Sequence, residues 1–288
     1  MRLGAAIDLY LETCALDRGL VPLTLERYRR DLDRFRHAMP AQHLQQLVPA
    51  DLHAFAALLG RTLAIRSHVR VAVVVKGFLR WAGRPDLAEH LVLPDRPRPL
   101  PQFLSLAHVL ALLAAPDPAT PRGCRDLAMI ELLYAAGLRV SELVKLRATD
   151  LQRTYLRTVG KGGRERLVPV GKPARKAIDR YLRESRPHLA RGHAPTAALF
   201  LTVRGCPMSP RWFEVLIKRY ARAAGIPDRV YPHLVRHTFA THLLWRGAEL
   251  RAIQAMLGHA SINSTEVYTH LARPHLRRFY RRHHPRAR

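Results

Sequence analysis

Pro94, Pro97, Pro99 and Pro101 alternate with Asp95, Arg96, Arg98 and Leu100 in one short stretch. No helix can run through it, because each proline lacks an amide donor and its ring collides with the turn before it. The stretch reads as an extended linker, so the 288-residue chain must close two separate cores. The expected division is a helical unit over 1–92, a linker over 93–103 and a second unit over 104–288. An apolar fraction of 48% is enough for both.

Before the linker, apolar residues recur at helical spacing over 7–16, 25–35, 52–59 and 65–81, which predicts four or five helices. Beyond it the same periodicity predicts helices over 104–114, 124–136, 141–147, 173–184, 210–224, 233–246, 249–257 and 274–283. Gly247 and Gly258 read as helix terminators. One hairpin interrupts this pattern. Residues 155–159 and 165–170 show partial alternation and flank Gly160-Lys161-Gly162-Gly163-Arg164, a glycine-rich turn. The fold class is therefore mainly α with a small β-sheet in the C-terminal unit. Residues 281–288 are strongly basic and are expected to be mobile.

Forty-eight basic residues face 22 acidic ones, a formal charge of +26. Such an excess suits a polyanion, and duplex nucleic acid is the leading partner, since basic side chains replace the counterions condensed on phosphate. No segment combines a long apolar face with a basic stripe, so a membrane surface fits less well. Arg27, Arg29, Arg30 and Arg34, with Tyr28, lie on the second expected helix as candidate phosphate contacts. A solvated helix face is the other reading of the same run. Cys14, Cys124 and Cys206 are odd in number and widely spaced, giving neither a disulfide framework nor a zinc pattern. Asp8 and Glu12 speak against a signal peptide, and the longest strongly apolar run, 71–75, is too short for a bilayer. A soluble, cytoplasmic protein is expected.

The chemistry-bearing residues fall in four short segments. Ala136-Gly137-Leu138-Arg139-Val140-Ser141-Glu142 supplies an arginine with a glutamate three residues on, hence on the same side of a helical turn. Pro232-His233-Leu234-Val235-Arg236 supplies a histidine and a second arginine at the same interval. Two planar guanidinium forks from separate helices suit the charge of a phosphoryl group in transfer. Glu142 suits the task of holding a neighbouring side chain, and His233 that of accepting a proton near neutral pH. Only six of the 48 basic residues are lysine, so Lys161, between glycines, draws attention: unlike arginine, it can give up a proton. It reads equally as a solvated turn residue. His259 follows the helix break at Gly258, and Tyr268 lies nine residues later. A free phenol, with a pKa of about 10, needs such cationic company to act as a nucleophile. No Gly-x-x-x-x-Gly-Lys-Ser/Thr loop or His-Glu-x-x-His pair is present, so neither cofactor nor metal is expected.

Together these segments resemble the tyrosine site-specific recombinases, also called the phage integrase family, over nearly the whole chain. Thr24-Leu25-Glu26-Arg27-Tyr28-Arg29-Arg30-Asp31-Leu32 looks like the pattern of that family's core-binding domain, and His283-His284-Pro285-Arg286-Ala287 is similar to the tail of the bacterial Xer recombinases. The resemblance implies a catalytic set of Arg139, Lys161, His233, Arg236 and His259, supported by Glu142, with Tyr268 as nucleophile. It implies a C-shaped, two-domain clamp on double-stranded DNA at a palindromic site, and a homo- or hetero-tetramer. Strand exchange would pass through a 3′-phosphotyrosyl enzyme and a Holliday junction. The task suggested by the tail is Xer-like dimer resolution, with mobile-element integration as the alternative. A type IB topoisomerase or a non-cutting DNA-binding regulator are the rival readings. Val235, where leucine usually precedes the arginine, and Asn263-Ser264-Thr265 depart from the family pattern without removing a reactive group.

Overall fold

A computed structural model describes residues 1–94, 102–152, 154–160, 165–227, 229–258 and 273–287. The chain separates into two compact units, Met1–Leu100 and Pro101–Arg288.

The first unit holds helices α1 (Leu3–Leu16), α2 (Pro22–Ala38), α3 (Pro49–Thr62), α4 (Ile65–Trp81) and α5 (Pro85–His90). Proline occupies the first helical position of α2, α3 and α5, where its missing amide costs nothing and its fixed φ favours the turn. Asp51 adds an N-terminal lock on α3 by accepting a 3.0 Å hydrogen bond from the Val48 amide. Tyr10, Phe35, Phe55 and Phe78 fill the centre, with Phe35 and Phe55 edge to face at 5.1 Å. One charge is buried among them. Burial pushes the Asp31 carboxyl above its ordinary pKa, against the pull of Arg70 on α4, which pairs with it at 2.5 Å.

The second unit contains α6 (Leu106–Ala114), α7 (Pro121–Ala136), α8 (Val140–Lys145), β1 (Tyr155–Val159), β2 (Glu165–Pro169), α9 (Lys172–Arg180), α10 (Arg186–Ala190), α11 (Pro210–Ala223), α12 (Pro232–Trp245), α13 (Leu250–Leu257) and α14 (Arg273–His283). Helix α7 is buried on almost every side and forms the axis of the unit. Thr120 starts it by accepting from the Gly123 amide at 3.0 Å. Gly137 ends it at φ +56°, where an added Cβ would stand 2.5 Å from the Phe239 ring. The strands pair antiparallel in the register Tyr155↔Pro169 to Val159↔Glu165. Strand β2 packs against α7, α13 and α14, and α12 packs on α7 and α13. The helix expected over 173–184 breaks after Arg180 into one wide turn, Tyr181–Ser185. Pro187, which has no amide to offer the Arg183 carbonyl, accounts for the break.

The tail corrects an expectation. Far from being mobile, its described residues 281–287 fold back on the unit: His284 and Ala287 are buried with Tyr280. Arg286 forms an ion pair with Glu131 on α7, and its amide donates to His284 Nδ1 at 3.1 Å. Gly171 leaves room for this docking, since a Cβ there would overlap the Arg286 carbonyl. The charge count of the tail hid three inward residues, 280, 284 and 287, at helical spacing.

Candidate active site

Arg139 is the residue that caps the start of α8, one position before the helix rather than within it. That placement lets Glu142 reach back: its Oε2 accepts the Arg139 amide at 2.8 Å, and its Oε1 accepts Arg139 Nη1 at 2.8 Å. Glu142 thus holds Arg139 by both its backbone and its side chain. Arg166, on β2, grips the same carboxylate end-on, with Nη1 on Oε1 at 3.0 Å and Nη2 on Oε2 at 2.7 Å. Burial alone would push the Glu142 carboxyl up. The hydrogen bonds from Arg166 and from the Arg139 amide, then the charge of Arg166 and the Arg139 side-chain bond, outweigh it and hold the group below the usual glutamate value.

Arg236 rises from α12 into the same space and is 7% exposed. Its Nη1 donates to the Gly137 carbonyl and its Nη2 to the Leu257 carbonyl, each at 2.6 Å. These oxygens sit at the C-terminal ends of α7 and α13, where carbonyls lack helical partners and the helix dipole favours a cation. Nη1 also lies 3.8 Å from Glu142 Oε2. Burial, then the nearby charge of Arg139, pulls the Arg236 pKa down to about 10, so it stays cationic at neutral pH.

Arg139 completes the ring through a 3.3 Å bond from Nη2 to the Gly258 carbonyl. Three guanidinium groups around one carboxylate leave two positive charges uncompensated. Such a site favours an incoming anion, and the 29% exposure of the Arg139 side chain gives the anion access. His233 lies one turn before Arg236 on α12 and is exposed, whereas Arg236 is buried. Lys161, His259 and Tyr268 lie outside the described residues. Gly258, directly before His259, ends α13 at φ +66°.

The four candidate arginines of α2 belong to the first unit and are all exposed. Arg27, Arg30 and Arg34 follow helical spacing along one stripe, whereas Arg29 faces elsewhere and pairs with Asp8 of α1 at 2.7 Å. Arg30 also reaches Glu26, at 3.3 Å.

Sequence reasoning missed Arg166. A usable signal existed: in strand alternation it takes the same side as the buried Val168, opposite the buried Thr158. An arginine on a core-facing strand position requires a carboxylate.

Residues 102–275 match the phage integrase family, and residues 7–85 match the SAM-like N-terminal domain of phage integrases. The chain is 45% identical to the tyrosine recombinase XerD of Xanthomonas axonopodis pv. citri (strain 306), with 98% of each chain covered. It is 41% identical to the tyrosine recombinase XerD of Pseudomonas aeruginosa, covering 97% of each. The crystal structure of lambda integrase residues 75–356 bound to DNA shares its fold, with a TM-score of 0.72 at 18% identity over 93% of this chain and 95% of that one. Nearly end-to-end similarity at this level decides the question, and the chain belongs to the phage integrase family of tyrosine recombinases.

Proposed function

We propose that this chain is a site-specific DNA recombinase of the Xer kind, acting on double-stranded DNA at a palindromic site as a homo- or hetero-tetramer. The observation that carries the reading is the pair Arg139 and Arg236, held around one carboxylate with net positive charge left over. Their guanidinium groups bind the non-bridging oxygens of the scissile phosphate, and His259 adds a hydrogen bond. Tyr268 attacks the phosphorus. A Tyr268 O–P bond forms as the bond to the 5′-oxygen breaks, which leaves a 3′-phosphotyrosyl enzyme and a free 5′-hydroxyl. His233 takes the phenolic proton, and Lys161 delivers one to the departing oxygen. The new ester conserves the energy of the old one, so rejoining through a Holliday junction needs no ATP. Arg27, Arg30 and Arg34 add phosphate contacts from the first unit, with Arg29 nearby.

We infer chromosome or plasmid dimer resolution in the cytoplasm, at the nucleoid; the XerD names of the relatives support the Xer kind of recombination. Among the described residues no helix is long and apolar enough to cross a membrane. The test is a nicked suicide substrate carrying the recombination site. The parent protein should form a covalent adduct that Tyr268→Phe abolishes, while DNA binding persists. An adduct in Tyr268→Phe removes the nucleophile assignment. Relaxation of supercoils without strand exchange points to a topoisomerase instead.

A further inference from the structure

Arg166 differs from its two neighbours in how its donors are used. Its Nε donates to the Met256 carbonyl at 2.9 Å, and its two terminal nitrogens hold the two oxygens of Glu142 at 3.0 and 2.7 Å. All three nitrogens are engaged within the protein, and the side chain is 11% exposed. What sets Arg166 apart is its partner: both terminal nitrogens go to the two oxygens of Glu142, so its task is to hold that carboxylate. Arg139, by contrast, is partly open and spends one terminal nitrogen on a long 3.3 Å bond.

The end-on grip also decides what Glu142 can do to the other arginines. With Arg166 in place, Glu142 gives Arg139 a single side-chain bond, and Arg236 stands off at 3.8 Å. Without it, a buried carboxylate would lie beside two cations with both oxygens open to a side-on pair. Arg139, three residues away and already hydrogen-bonded, would turn its fork onto Glu142, and Arg236 would close from 3.8 Å. Each would then be taken from substrate. Arg166 further ties β2, which comes four positions after Lys161 in the sequence, to the last turn of α13, just before His259.

We propose that Arg166 is a positioning residue which occupies Glu142 and thereby keeps Arg139 and Arg236 available to the scissile phosphate. This rests on the recombinase reading. Lysine cannot replace it fully, because one ammonium cannot span both carboxylate oxygens and the Met256 carbonyl in a planar fork.

The test is single-turnover cleavage of a suicide substrate by the full-length parent, Arg166→Ala, Arg166→Lys, Glu142→Gln and the double variant Arg166→Ala/Glu142→Gln. Melting temperature and DNA affinity are measured beside it. Arg166→Ala should slow cleavage about 10- to 100-fold with DNA affinity held within about twofold, and Arg166→Lys should fall between it and the parent. The deciding result is the double variant. A neutral amide in place of the Glu142 carboxylate no longer traps the arginines, so the double variant should cleave at least about fivefold faster than Arg166→Ala alone. A merely structural Arg166 gives the opposite result, since a second lesion in one network slows cleavage further. A double variant no faster than Arg166→Ala, or Arg166→Ala within about twofold of the parent, overturns the proposal. If Arg166→Ala has no melting transition, Arg166→Lys and Arg166→Lys/Glu142→Gln are read in the same way. The rise in melting temperature caused by inorganic sulfate needs no strand cleavage and should rank the proteins in the same order. A parent that forms no adduct but shows this sulfate order sinks the recombinase reading and keeps Arg166. An adduct without that order does the reverse.

Discussion

His284 offers a direct test of how firmly the tail is docked. Its ring stacks on Tyr280 at 4.6 Å with an interplanar angle of 10°, and Tyr134 and Phe239 lie at 5.0 and 5.5 Å. Burial, with the nearby charges of His242, Arg246 and Arg286, pushes its pKa down to about 3. In the unfolded chain the same group titrates near its ordinary value of about 6.5. The folded pKa is the lower of the two, so the stabilisation is fully present above about pH 6.5. It is lost as pH falls, because the unfolded chain takes up a proton that the folded one refuses until about pH 3. At pH 5.5 the loss is RT ln(1 + 10), or about 1.4 kcal/mol, and it steepens toward one such step per pH unit. His242, also lowered by burial first, adds in the same direction. Glu131 and Asp126, raised by burial, act in the opposite sense but are common to parent and variant. His284→Phe keeps the stacking surface and removes both the titration and the acceptor for the Arg286 amide. It should be less stable than the parent at pH 7.5, by about 1 kcal/mol for the lost hydrogen bond. Between pH 7.5 and 5.5 the parent should lose about 1.4 kcal/mol more than the variant, so the gap closes. Urea unfolding at constant ionic strength reads the difference, and a histidine ring resonance that does not move down to pH 5 reads it directly. Equal pH slopes for parent and variant, or a titration of His284 near pH 6.5, would refute the reasoning.

The arginines should separate by their partners. Arg139→Ala should slow cleavage by about 10²–10³-fold with little change in melting temperature, since it loses a donor to the developing charge. Arg236→Ala should lose both rate and stability, because the Gly137 and Leu257 carbonyls are left without a donor, at about 1–3 kcal/mol each. Equal melting temperatures for the two variants would show that those carbonyls find other partners. Lys161→Arg and Lys161→Ala should cut slowly, yet recover on a substrate with sulfur at the 5′-bridging position, whose leaving group needs no proton. If both stay slow on sulfur, Lys161 acts through charge or position. Gly137→Ala should lower thermal stability by several kcal/mol, as it combines a left-handed φ with a Cβ against Phe239. An unchanged melting temperature would mean that the α7 terminus can shift.

Much of this architecture was legible in the residues alone, because the signals were local. Apolar spacing located α4 and β1 at their observed ends, and Gly258 marked the end of α13. The arginine and His-x-x-Arg segments were legible for the same reason: three-residue spacing places His233 and Arg236 on adjacent turns, and Glu142 beside Arg139. What the sequence could not display was partnership across distance. Arg166 meets a carboxylate 24 positions earlier and a carbonyl 90 positions later. The basic tail, read as mobile, closes on Glu131, 155 positions before Arg286. Arg29 was placed with its neighbours by adjacency, although helical rotation turns it toward Asp8. Periodicity reports which side of an element is apolar. Which buried charges meet is settled only when helices and strands pack, because an ion pair depends on a few ångströms of separation in space and carries no trace along the chain.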